Sequence, residues 1–144
     1  MPACTFFGHK DCPEPVIPKL RNVIRDLITI HGVDMFYVGN QGRFDTFVRT
    51  ELHTITEEFP HTRYAVVLAY MPQEKNDSVD CSDTMLPEGI ESVHPRYAIS
   101  WRNNWMLRQS DYVVAYVTHS WGGAAQYLHK AENKGMYIIN LASI

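Results

Sequence analysis

Apolar runs of strand length alternate along this chain with segments whose apolar residues recur at helical spacing, and that rhythm limits its fold more than any other feature. The runs are Ala3 to Phe7 (ACTFF), Met35 to Val38, Tyr64 to Tyr70 (YAVVLAY), Tyr112 to Val117 (YVVAYV) and Met136 to Leu141 (MYIINL). YAVVLAY is apolar throughout, as a strand covered on both faces must be. Between Pro15 and His31, Val16, Leu20, Val23, Ile24, Leu27 and Ile28 trace one face of a helix, and Gly32 stands just past its end. Phe44, Phe47, Val48, Leu52 and Ile55 repeat that period up to Pro60. A Trp-rich helix is expected from Arg96 to Gln109, and another from Gly122 to Lys134, stopped by Gly135. Repeated strand–helix alternation predicts an open parallel sheet with helices on both faces, joined by right-handed crossovers. With 144 residues, 45% of them hydrophobic, there is core enough for one domain spanning 1–144. Residues 71 to 94 break the rhythm and read as a long, irregular, functional or mobile loop.

Charge and cysteine usage narrow the classes of function. The formal net charge is -3, from 13 basic and 16 acidic residues with no long run of either sign, so a nucleic-acid stripe is not expected. Cys4, Cys12 and Cys81 are a sparse, odd set without a CxxC pair, which suits reduced thiols in the cytosol. No apolar run approaches the roughly 20 residues of a membrane span, and a cytoplasmic protein without a membrane partner is the expectation.

Parallel sheets bind ligands beyond the carboxyl ends of their strands, so the loops there are the ones to inspect. GNQG, residues 39 to 42, lies between a buried run and a helix. Gly39 and Gly42 would let the backbone approach a ligand, with Asn40, Gln41 and the first free amides of the helix turned toward a phosphate. The same glycines would equally serve a tight strand-to-helix turn. Asp45 would accept a ribose hydroxyl or merely complement the helix dipole. THSWGGAA, residues 118 to 125, is a second glycine-bearing loop in the same setting. There Gly122 and Gly123 would admit a diphosphate or sugar, Thr118 and Ser120 supply hydroxyls, and Trp121 wall the pocket. His119 is a candidate acid or base, against the reading of a structural or solvated histidine. Arg102, in WRNNWM, would reach a phosphate as a bidentate donor; the competing reading pairs it with Asp111 or Glu91. Gly8 and His9 close the first apolar run and join the ligand-binding set. His9, Asp11 and Cys12 match no tetrahedral zinc spacing, so no metal is expected. Glu88 and Glu91 are carboxylates that the long loop would either swing over the site or leave at the surface.

CTFFGHKD, FYVGNQGRFD, LAYMP, LPEG, RYAISWRNNWM, SDYVVAYVTHSWGGAAQ and KGMYIINLA occur in that order over nearly the whole chain. Together they resemble the small stand-alone bacterial members of the SLOG superfamily, related to the Lonely Guy proteins and DNA-processing protein A. The resemblance implies a Rossmann-like three-layer α/β/α sandwich with a mainly parallel sheet of about five strands. It also implies a nucleotide or ADP-ribose/NAD-derived ligand, held by loops matching Gly39 to Gly42 and Trp121 to Ala124. Lonely Guy enzymes cleave nucleoside monophosphates and carry an arginine-lysine pair nine residues before an aspartate; here Arg102 stands nine before Asp111, with Asn103 in place of the lysine. Their glutamate after the second glycine loop has no counterpart, since Trp121 to Lys130 contains no acidic residue and Gln126 lies near that position. An amide cannot replace a carboxylate that stabilises an oxocarbenium-like centre.

The expectation is therefore a sensing, carrier or sequestering module that needs no cofactor. The alternative is a nucleotide N-glycosidase, or phosphoribohydrolase, whose carboxylate comes from Glu88, Glu91 or Asp45. The aromatic helix from 96 to 109 offers more apolar surface than a small sheet needs covered, and homo-oligomerisation is expected from it.

Overall fold

The computed structural model describes residues 2–71 and 83–144; Cys81 and the middle of the irregular segment lie outside the described residues. In chain order the elements are β1 (Ala3–Gly8), α1 (Val16–Thr29), β2 (Met35–Val38), α2 (Gly42–Glu58), β3 (Arg63–Val67) and β4 (Thr84–Met85). They continue with α3 (Ala98–Gln109), β5 (Tyr112–Tyr116), α4 (Gly123–Asn133) and β6 (Tyr137–Asn140). Among the described residues the strands form one sheet in the order β4-β3-β2-β1-β5-β6, every neighbouring pair parallel.

The strands are apolar on both sides because both sides are covered. Phe6 packs into the core beneath α1 and α2, beside Leu20, Ile24, Phe44 and Leu52. Its neighbour Phe7 packs into the opposite core, with Met106 and Leu107 of α3 and Leu128 of α4. Val66 and Val67 divide in the same way, as do Val114 and Val113. Successive side chains of a strand point to opposite faces, so a strand sandwiched between helices has no polar register to show.

The third strand and the irregular segment after it depart most from expectation. The third apolar run pairs only over Arg63–Val67; Leu68 and Ala69 stay buried, while Tyr70 turns outward to 47% exposure. The sheet also gains a sixth strand inside the segment read as a loop, with Thr84 and Met85 registered against Val66 and Val67. A two-residue strand carries no periodicity of its own, and this one exists only through pairing with β3. Among the described residues, no helix is long and apolar enough to cross a membrane.

The topology fixes where a ligand would enter. The chain builds outward from β1 through β2 and β3 to β4, then returns to place β5 on the other side of β1. Connections leave the carboxyl ends of β1 and β5 in opposite directions, which opens a crevice between them. At that end Gly8 sits under the Phe44 ring, and a β-carbon there would overlap the ring itself. Phe44 is fully buried and has nowhere to retreat. Gly8→Ala is expected to cost about 1–3 kcal/mol through overpacking, lowering the midpoint of thermal unfolding by several degrees; an unchanged midpoint would contradict this packing.

Candidate functional site

A cavity of about 400 Å³ fills the crevice. Gly8 and His9 enter it from the end of β1, Gln41 and Asp45 from the start of α2, and Arg102 from α3. His119, Trp121, Gly122 and Gly123 close it from the β5 side, and Phe7, Met106 and Tyr127 give it an apolar floor. Both glycine-bearing loops therefore reach one rim of the sheet.

Arg102 is the deepest polar group, with 1% exposure. It lies on the stripe of α3 that also buries Ala98 and Met106, a charge where helical spacing calls for an apolar residue. Its Nε–H donates to Asn103 Oδ1 at 2.8 Å, and Nη1 donates to the Val67 carbonyl at 2.8 Å and to Asn40 Oδ1 at 3.3 Å. Nη2 has no acceptor among the described residues. Burial lowers the guanidinium pKa, and the nearby Asp45 charge opposes that shift. Neither anticipated ion pair forms: Asp111 accepts the Ala3 amide at 3.2 Å, and Glu91 is exposed.

Asp45 is also buried, at 8% exposure, and its Oδ2 accepts the Gln41 amide at 2.9 Å. Burial pushes its carboxyl from the ordinary 3.8 up to about 6, against the opposing pull of the Gln41 amide, Arg102 and Arg49. Gly39 makes room for this pair: a β-carbon there would lie 2.9 Å from Asp45 Oδ2 and 3.1 Å from the Arg102 guanidinium carbon. The GNQG turn thus differs from its expected use. Its small residue admits the protein's own buried charges, Gln41 donates to Asp45, and the Arg43 amide donates to Lys10 O at 3.1 Å.

The second loop keeps its donors. Helix α4 begins at Gly123 with Gly122 as N-cap, no side chain caps it, and no acidic residue occupies its first turn. The first intrahelical bond runs from the Gln126 amide to Gly122 O, which leaves the amides of Gly123, Ala124 and Ala125 without helical acceptors. His9 fastens this loop to β1, its Nε2 accepting the Thr118 amide at 2.9 Å. In the neutral ring the proton therefore sits on Nδ1. Burial, and then the neighbouring His119, lower the His9 pKa, while Asp11 raises it. The imidazoles of His9 and His119 stack with centroids 3.9 Å apart, and His119 stacks in turn on Trp121 at 3.8 Å.

Gly39, Asn40, Gly42, Thr118 and Ser120 are not part of the cleft lining; Thr118 and Ser120 are exposed, and Thr118 borders a separate hollow. Gly42 packs on the Lys10 backbone, and Asn40 and Thr118 support Arg102 and His9. Glu88 and Glu91 line a separate hollow with Tyr70, Met71 and Ile90. Cys12 is buried, and His9 is committed to Thr118, so the His9, Asp11 and Cys12 group is not gathered around a point. Tyr127 and Asn103 are wall residues that motif reading did not select. Tyr127 had a signal: it lies one helical turn beyond Gly123 on the same helix.

Sheet order, crevice and layered cores together define a Rossmann-like α/β domain. No protein-family model and no curated protein matches the chain. Among solved structures, the X-ray structure of DNA processing protein A from Streptococcus pneumoniae shares the fold with a TM-score of 0.57 and 12% identity. The match covers 99% of this chain and 60% of that one, so the chain spans about three fifths of its neighbour.

A carboxyl held near 6 makes stability depend on pH. Asp45 binds its proton more tightly folded than unfolded, so its contribution to stability falls as pH rises from about 4 to about 6. Asp45→Asn keeps an oxygen for the Gln41 amide and removes the titration. Across that window its unfolding free energy, from urea titrations at a series of pH values, is expected to gain on the wild type by roughly 2–3 kcal/mol.

Proposed function

We propose that the cleft binds a phosphorylated nucleotide-type ligand, an ordinary nucleotide or an ADP-ribose/NAD derivative, and that the chain is a SLOG-type sensing, carrier or sequestering module. The observation that carries this reading is the unfilled Nη2 of buried Arg102, in the same cleft as the uncapped N-terminus of α4. Nη2 makes no hydrogen bond among the described residues although the rest of the side chain is held in place, and a phosphate oxygen would accept from it while its other oxygens meet the α4 amides. The cavity lies within the size range of small-molecule sites. Asp45 supplies an acceptor for a ribose hydroxyl.

A second reading has its own support. Two carboxylates line the cleft, exposed Asp11 and buried Asp45, and a group held near 6, as Asp45 is, trades protons close to neutrality. Asp45 would stand in for the missing glutamate of an N-glycosidase. Incubation with nucleoside monophosphates, NAD and ADP-ribose followed by chromatography separates the readings: released base that disappears in Asp45→Asn supports the enzyme, and intact ligand supports the binding module.

Two variants test the phosphate site by calorimetry. A β-carbon at Gly123 meets nothing within 4 Å, and aspartate at a helix start favours the helix. Gly123→Asp should keep its thermal midpoint while abolishing binding of AMP and ADP-ribose. Arg102→Gln should weaken both by about tenfold or more, since a hydrogen bond to a charged group contributes about 1.5–3 kcal/mol. Undiminished binding in Gly123→Asp would refute the site.

A further inference from the structure

Two of the three tryptophans are packed inward, Trp105 edge-on to Tyr37 and Trp101 against Ile90 and Ala98. Trp121 is 69% exposed, yet it is not a loose side chain. His119 covers one face of its ring at 3.8 Å with 19° between the planes, and His9 backs His119 at 3.9 Å and 15°. His9 is buried and pinned by the Thr118 amide. His119 Nδ1 also lies 2.9 Å from the Trp121 carbonyl oxygen and bonds to it, which ties the two ends of the turn together. The indole is thus the outermost ring of a three-ring stack rooted in the protein, and its outer face is uncovered among the described residues.

Holding a large aromatic ring in water forgoes the free energy of burying it, and a flat face held still is suited to stacking. The same cavity carries the anion donors of Arg102 and α4, with the Asp45 carboxyl beside them. A compound that satisfies all of these has a charged phosphate at one end and a flat heteroaromatic ring at the other. Resting on the phosphate reading above, we infer that Trp121 is the stacking platform for the base, so that the cleft selects nucleoside phosphates over sugar phosphates lacking a base.

The test compares AMP and ADP-ribose with ribose 5-phosphate by calorimetry on the wild type, Trp121→Ala and Trp121→Phe, with thermal midpoints confirming that the variants fold. The wild type should bind AMP and ADP-ribose more tightly than ribose 5-phosphate. Trp121→Ala should weaken the two nucleotides by about tenfold, the scale of one base–aromatic stack, and leave ribose 5-phosphate unchanged. Trp121→Phe should retain most of the affinity. Equal loss for all three compounds, or no loss for any, would overturn the platform. Wild-type affinity for ribose 5-phosphate equal to that for AMP would overturn it as well, with the phosphate site left standing. If the wild type binds none of the three, the phosphate reading fails and the platform fails with it.

Discussion

A guanidinium enclosed by apolar packing is the constraint on which the rest of this structure turns. Removing such a charge from water costs several kcal/mol even after the protein relaxes, and the surroundings of Arg102 are arranged to offset it. The end of β3 contributes a carbonyl, the turn after β2 an amide oxygen, α3 its own Asn103, and α2 the negative charge of Asp45. Gly39 has to be small because the side chains of this charge system crowd its α-carbon. Four separate elements are thereby drawn to one point at the carboxyl edge of the sheet, and the cleft wall on that side follows from their meeting.

The opposite wall has a different origin. Where strand order reverses between β1 and β5, the backbone separates without help from any side chain. The loop after β5 then starts a helix whose first turn consists of small residues and keeps its amides uncapped. One side of the crevice is thus a fixed cation under partial neutralisation, and the other a set of main-chain donors. Both are electropositive, and an apolar floor lies between them.

The layered fold was legible because its signal is repeated. Each buried run is flanked by a helical period and most ends carry a glycine or proline, so an error at one boundary does not disturb the others. Strand β4 was not legible, because Thr84 and Met85 become a strand only through a partner far away in the chain. The site divides in the same way. Spacing located both glycine loops, and they do share a rim, but a glycine that admits a ligand and one that admits a neighbouring side chain look alike in sequence; Gly39 is of the second kind. Arg102 was visible as a cation among aromatics, but its burial on the stripe with Ala98 and Met106 emerges only in the structure. The tryptophans of that helix suggested surplus apolar surface, but Trp101 and Trp105 find intramolecular partners in Ile90 and Tyr37. Of the large apolar residues between 96 and 109, Tyr97 alone remains widely exposed.

The bond between His9 and the Thr118 amide has a mechanical consequence. It staples together the two strands whose divergence makes the crevice, and it does so through a lone pair, which exists only while the imidazole is neutral. Burial and the neighbouring His119 lower its pKa and so favour the neutral ring. A proton added to Nε2 would turn the acceptor into a donor facing another donor, and the jaw carrying Trp121 would lose its hinge pin.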